Sequence, residues 1–140
     1  MAYLLDTNVL SEFLKKTPNE NVLCWFRDSD ETQHFISSLT IAEIQKGISK
    51  LPDSQRKTDL KVWFDNVIKR YQDRILSFDL KTACIWGDTI AALESQGRPL
   101  PLPLMDSLLA ANALEHGLTI VTRNETDFEP TGVNILNLWK

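Results

Sequence analysis

The stretch Tyr3-Leu4-Leu5-Asp6-Thr7-Asn8 sets a short apolar run directly against a carboxylate and two small polar residues. A helical pattern follows at once, with Val9, Leu10, Phe13 and Leu14 on one side. A buried strand that turns straight into a helix is the opening of a parallel α/β unit. In such sheets ligands sit outside the carboxyl ends of the strands. Asp6 therefore stands where a side chain points into the mouth of a site.

The rest of the chain repeats that grammar. The first helix is expected over residues 9–16, with Asn8 a candidate cap or a site residue and Thr17-Pro18 the stop. A second helix fits 20–27 and a strand 34–38. Thr40-Ile41-Ala42-Glu43 then reads as a capping box opening a helix with Ile41, Ile44 and Ile48 as its apolar side. Glu43 has two readings: a cap partner for the Thr40 amide, or a second carboxylate at the carboxyl edge. Leu60, Trp63, Phe64, Val67, Ile68 and Tyr71 recur at helical spacing through a long helix over 53–71. A short strand fits 75–78. Asp79 caps a helix to residue 96, with Leu80, Ala83, Cys84, Ile90, Ala91 and Leu93 broadly on its buried side and Asp88 either on its surface or supporting the site from behind.

Gly97-Arg98-Pro99-Leu100-Pro101-Leu102-Pro103 is a stiff extended connector. It delivers Asp106 to the first turn of an apolar helix, where the helix dipole alone also favours a carboxylate. Gly117 ends that helix. A strand over 118–122 runs into the polar loop Arg123-Asn124-Glu125-Thr126-Asp127-Phe128, and a last strand fits 134–138. Strands alternating with helices predict one domain over 1–140, a three-layer α/β/α fold on a mainly parallel sheet of four to five strands.

The bulk properties narrow the class. The 140 residues carry 15 basic and 19 acidic side chains, a net charge of −4, which argues against a protein that coats nucleic acid. No apolar run is long enough to span a bilayer and no signal peptide is visible, so a cytoplasmic location is expected. Cys24 and Cys84 lie in apolar helical surroundings and are expected as reduced core thiols.

Asp6, Glu43, Asp106 and Asp127 come from separate parts of the chain and all project to one sheet edge. Crowded carboxylates repel one another unless a cation joins them. Hard oxygen ligands select Mg²⁺ or Mn²⁺. Such an ion supports attack of water at phosphorus, so the residues point to metal-dependent phosphoester hydrolysis. Competing chemistries lack their motifs: there is no Gly-x-Ser-x-Gly elbow, no Gly-x-Gly-x-x-Gly, no Walker loop, and no nucleophile beside His34 or His116.

Three stretches carry a family resemblance. They are Leu5-Asp6-Thr7-Asn8-Val9-Leu10-Ser11-Glu12, Ser38-Leu39-Thr40-Ile41-Ala42-Glu43-Ile44-Gln45-Lys46-Gly47, and the run from Met105-Asp106-Ser107 through Glu115-His116-Gly117 to Val121-Thr122-Arg123-Asn124 and Asp127. Together they resemble PIN-domain proteins of the VapC/FitB toxin type, from end to end of the chain. The resemblance implies a PIN-like fold and a Mg²⁺- or Mn²⁺-dependent ribonuclease, the toxin of a type II toxin–antitoxin pair. It implies that Asp6 and Asp106 are metal ligands, that Glu43 and Asp127 complete the acidic site, and that Thr7, Asn8 and Asn124 steady it from behind. It also implies structured RNA such as tRNA or ribosomal RNA as substrate, products with 5′-phosphate and 3′-hydroxyl ends, a homodimer, a cognate antitoxin, and operator DNA bound only through that antitoxin. Lys46, Lys50 and Arg123 are candidate phosphate contacts or simply solvated cations. Two alternatives stay open: a non-catalytic PIN-like binding module, and a metal-dependent DNA nuclease or phosphatase on the same carboxylates, since nothing in these residues reads a 2′-hydroxyl.

Overall fold

Leu4 and Leu5 alternate to opposite faces of a strand and are both fully buried, so the first strand needs cover on two sides. A computed structural model, describing residues 1–97 and 102–140, shows how the chain supplies it. Five strands, β1 (Tyr3–Leu5), β2 (His34–Ser37), β3 (Ile75–Leu76), β4 (Thr119–Val121) and β5 (Ile135–Leu136), form one sheet in the order β3-β2-β1-β4-β5. Every pairing is parallel, with Tyr3 beside both His34 and Thr119. The helices are α1 (Thr7–Ser11), α2 (Glu20–Asp28), α3 (Ser38–Ser49), α4 (Gln55–Tyr71), α5 (Leu80–Ser95), α6 (Leu104–His116) and α7 (Glu125–Phe128).

Two apolar cores flank the sheet. Leu5, Ile36 and Val121 face Val9, Leu10, Val22, Ile44, Ile48, Phe64 and Tyr71 from α1 to α4. Leu4 and Ile120 face Leu109, Ala110 and Ala113 of α6 and Phe128 of α7. The expected three-layer α/β/α architecture is present, with five strands. β1 is central, and the chain winds first to one side of it and later to the other. The crevice at the carboxyl ends of β1 and β4 is where the winding reverses. None of the described helices is long and apolar enough to cross a membrane.

Local departures from the sequence expectations have physical causes. The first helix starts at Thr7, not Val9, and its cap is Asp6, whose carboxylate accepts from the Thr7 amide; Asn8 is inside the helix. It is a single α-turn followed by a 3₁₀ segment, Glu12–Leu14. The Thr40–Glu43 capping box is absent: β2 runs straight into α3, which is capped by Ser37 accepting from the Leu39 amide. That start puts Glu43 in the second turn, out of reach of a cap.

Helix α5 is rotated from the expected face. Thr82 and Leu93 are buried, while Leu80 is 81% exposed and Ala83, Cys84 and Ala91 are also exposed. Its phase follows Thr82, which pairs with Asp79 in a capping box, and the packing against α6. Both cysteines are free, but Cys24 is only half-buried and Cys84 is exposed, so neither is a core thiol. The polar loop after β4 contains the short α7. Residues 98–101 of the expected proline-rich connector lie outside the described residues.

Candidate active site

Asp6 follows β1 by one residue. Its amide donates to the Val121 carbonyl at 3.0 Å, extending the β1–β4 ladder to the edge of the crevice. Its side chain is only 4% exposed. A buried carboxylate needs donors, and Asp6 has three. The Thr7 amide reaches Oδ1 at 2.8 Å, the Thr122 hydroxyl reaches Oδ2 at 2.7 Å, and the Asn8 amide reaches Oδ2 at 3.3 Å. The same Asn8 nitrogen also lies 3.3 Å from the Thr122 hydroxyl oxygen. Asn8 Oδ1 in turn accepts from the Arg123 amide at 3.3 Å.

Glu43 sits on the exposed side of α3 and accepts from the Thr7 hydroxyl at 3.2 Å. Thr7 thus serves two carboxylates, Asp6 through its amide and Glu43 through its hydroxyl. Asp106 lies in the first turn of α6 and Asp127 in α7, and each is close enough for its charge to bear on the other. Two braces fix the start and middle of α6. Trp86 of α5 donates its indole N–H to Ser107 at 2.9 Å. Asn112 is fully buried, accepts from Ser37 at 2.5 Å and donates to the Ser77 carbonyl at 3.2 Å.

All four carboxylates therefore reach one edge of the sheet. A family model described as the PIN domain matches residues 3–133. The chain belongs to the PIN-domain family. Relatives of this PIN domain span nearly its whole length. VapC ribonuclease Y4jK of Sinorhizobium fredii is 31% identical over 138 residues, covering 98% of this chain and 97% of that protein. Toxin FitB of Neisseria gonorrhoeae is 31% identical over 137 residues, covering 97% of each. Among solved structures, FitAcB from Neisseria gonorrhoeae superposes with a TM-score of 0.90 at 31% identity, over 98% of both chains.

The electrostatics of the PIN site follow from crowding. Burial pushes the Asp6 carboxyl above its ordinary value and Asp127 adds to this, against the three donors that favour its charge. Burial and then Asp6 raise Glu43, with Thr7 and Lys46 opposing. Asp106 is displaced most, to about 7, by burial first and then by Asp6, Asp127 and Glu43. The carboxylates perturb one another without converging: among the described residues, no three His, Cys, Asp or Glu side chains are drawn together as an ion cage.

Asn124 is exposed, and its contribution is through the backbone. Its amide donates to Thr122 at 3.0 Å and its carbonyl accepts from the Asp127 amide at 3.2 Å. Thr122, Trp86 and Ser107 were not visible as site residues in the sequence. Thr122 left one signal, a hydroxyl directly after the apolar pair Ile120-Val121.

Proposed function

We propose that this PIN domain is a divalent-metal-dependent endoribonuclease acting as the toxin of a type II toxin–antitoxin pair. The observation that carries this reading is Asp6, a buried carboxylate held by three donors in an edge crevice that faces Asp106 and Asp127. Among the described residues, none of the four acidic groups after β1 and on α3, α6 and α7 has an ion-pair partner. The donor set is all oxygen, which fits Mg²⁺ or Mn²⁺. Asp6 and Asp106 would hold the ion, with Glu43 and Asp127 completing the site. A cation bound there supplies Lewis acidity at the phosphate and a water of lowered pKa. Thr122, Asn8 and Thr7 favour the charge on Asp6 and orient it, and Thr7 aims Glu43 at the same crevice. RNA as substrate extends from the relatives named as ribonucleases; tRNA or ribosomal RNA in particular is what the sequence resemblance implies.

Cleavage of RNA by the purified protein in Mg²⁺ tests the reading. Chelation with EDTA and the substitution Asp6→Asn are each expected to reduce the rate by at least about a hundredfold, the scale of losing one metal or charge-stabilising group. Activity that survives both would overturn it.

The partners follow the same reading: a cognate antitoxin, operator DNA reached only through it, and a second copy of this chain. Light scattering is expected to give twice the chain mass, and a wild-type monomer would contradict the homodimer.

A further inference from the structure

Beside the acidic cluster, α3 and the start of α6 border an open groove of about 400 Å³. Its walls are Ala42, Glu43, Lys46, Gly47 and Lys50 from α3 and Met105 from α6. Glu43 belongs to the acidic site, and Met105 is the neighbour of Asp106. The groove therefore starts at the carboxylates and leads away along one face of α3. The sign of the charge changes along it, from Glu43 to Lys46 and Lys50, in a chain whose net charge is −4. Among the described residues, no ion pair occupies either ammonium group. Lys46 and Lys50 are one helical turn apart, about 6 Å along the axis, a spacing on the scale of successive phosphates in an extended strand.

Gly47 lies between them. Glycine is a poor helix former, yet Gly47 sits in mid-helix without a positive φ. Among the described residues nothing lies within 4 Å of where its Cβ would be, so close packing with them does not require it. What the missing side chain provides is open floor.

Resting on the ribonuclease reading above, we propose that this groove carries the RNA backbone flanking the scissile phosphate, with Lys46 and Lys50 each contacting one phosphate and Gly47 keeping the adjoining wall open. The contacts are to phosphate, so they set strand path and affinity without reading base sequence. The two lysines act on binding, not on the reacting atoms.

The test combines anisotropy of a fluorescein-labelled mixed-sequence RNA oligonucleotide, in Mg²⁺ across a KCl series, with cleavage kinetics on bulk tRNA. In Lys46→Gln/Lys50→Gln the Kd is expected to rise about tenfold or more. The log–log salt slope should become shallower by about 1.4, at about 0.7 per lost single-strand phosphate contact. KM should rise while kcat stays within about twofold, the mark of lost uniform binding. Lys46→Arg/Lys50→Arg should keep the affinity. Gly47→Leu, whose Cβ has room among the described residues, should keep the wild-type melting temperature and still weaken RNA binding by filling the floor. Gln and Leu variants that bind RNA as tightly as wild type, with the same slope, overturn the groove while leaving the nuclease intact. So does a loss confined to affinity for the antitoxin protein. A wild-type protein that neither binds nor cuts RNA overturns both readings.

Discussion

Asp106 and Asp6 illustrate two ways of holding a carboxylate at a crowded edge. Asp6 is surrounded by donors: Thr7, Thr122 and Asn8. Asp106 is surrounded by acids, and its carboxyl is pushed up to about 7 from 3.8 by burial and by Asp6, Asp127 and Glu43. Below the ordinary carboxyl range both folded and unfolded chains keep this proton, and nothing is lost. Between 3.8 and about 7 the fold retains a proton that the unfolded chain releases, so a penalty grows with pH and is complete above about 7. Asp106→Asn removes it. In EDTA the variant is expected to be more stable than wild type at pH 8, by about 1–2 kcal/mol after discounting for solvent screening. The gain should vanish near pH 4. Denaturant melts at the two pH values check this, and equal or lower stability at pH 8 would contradict the crowding. Elsewhere a buried acid is paid for differently: Glu12, 3% exposed, is raised by burial but brought below its ordinary value by Lys15, Trp139 and the Asn19 amide. Those partners tie the C-terminal Trp139 to the segment after α1, which marks Glu12 as structural.

At the scale of elements, the junction of β2 and α3 decides where Glu43 goes. Ser37 caps the helix and also donates to the buried Asn112. Thr40 is fully buried, and its hydroxyl has no partner among the described residues. Ser37→Ala is expected to destabilise the protein by about 1–2 kcal/mol, whereas Thr40→Val should be neutral or mildly stabilising. Urea melts rank the two, and the reverse order would restore Thr40 as the cap. The sequence pattern favoured Thr40 because Thr-x-x-Glu is a real capping signature, but it does not show that a strand enters the helix directly. Helix α5 departs from the phase its apolar spacing predicts for a similar reason. Apolar spacing marks a strip, not which surface covers it, and the strip of Leu80, Cys84 and Ala91 faces outward in the protomer.

Across the whole molecule, the legible part was whatever chain connectivity alone determines. Short strands alternating with helices specify a parallel sheet, and a parallel sheet delivers strand-end and helix-start residues to one edge. That logic was enough to bring Asp6, Glu43, Asp106 and Asp127 together on paper. The braces that make the edge a site were not legible. Thr122 to Asp6 spans 116 positions, and Ser37 to Asn112 spans 75. Contacts of that range depend on strand order and register, which local pattern does not contain. The order β3-β2-β1-β4-β5 places β1 and β4 side by side, and this is what puts Thr122 on Asp6.

The central claim is that these carboxylates, set apart in sequence, share one cation. Mn²⁺ titration of the purified protein, read by the loss of free-ion EPR signal, tests it most directly. Wild type should bind Mn²⁺, and Asp6→Asn and Asp106→Asn should each weaken binding by at least about tenfold, the loss typical even of outer partners of metal ligands. A wild-type protein that binds no Mn²⁺, or either variant binding it as tightly as wild type, would contradict the account.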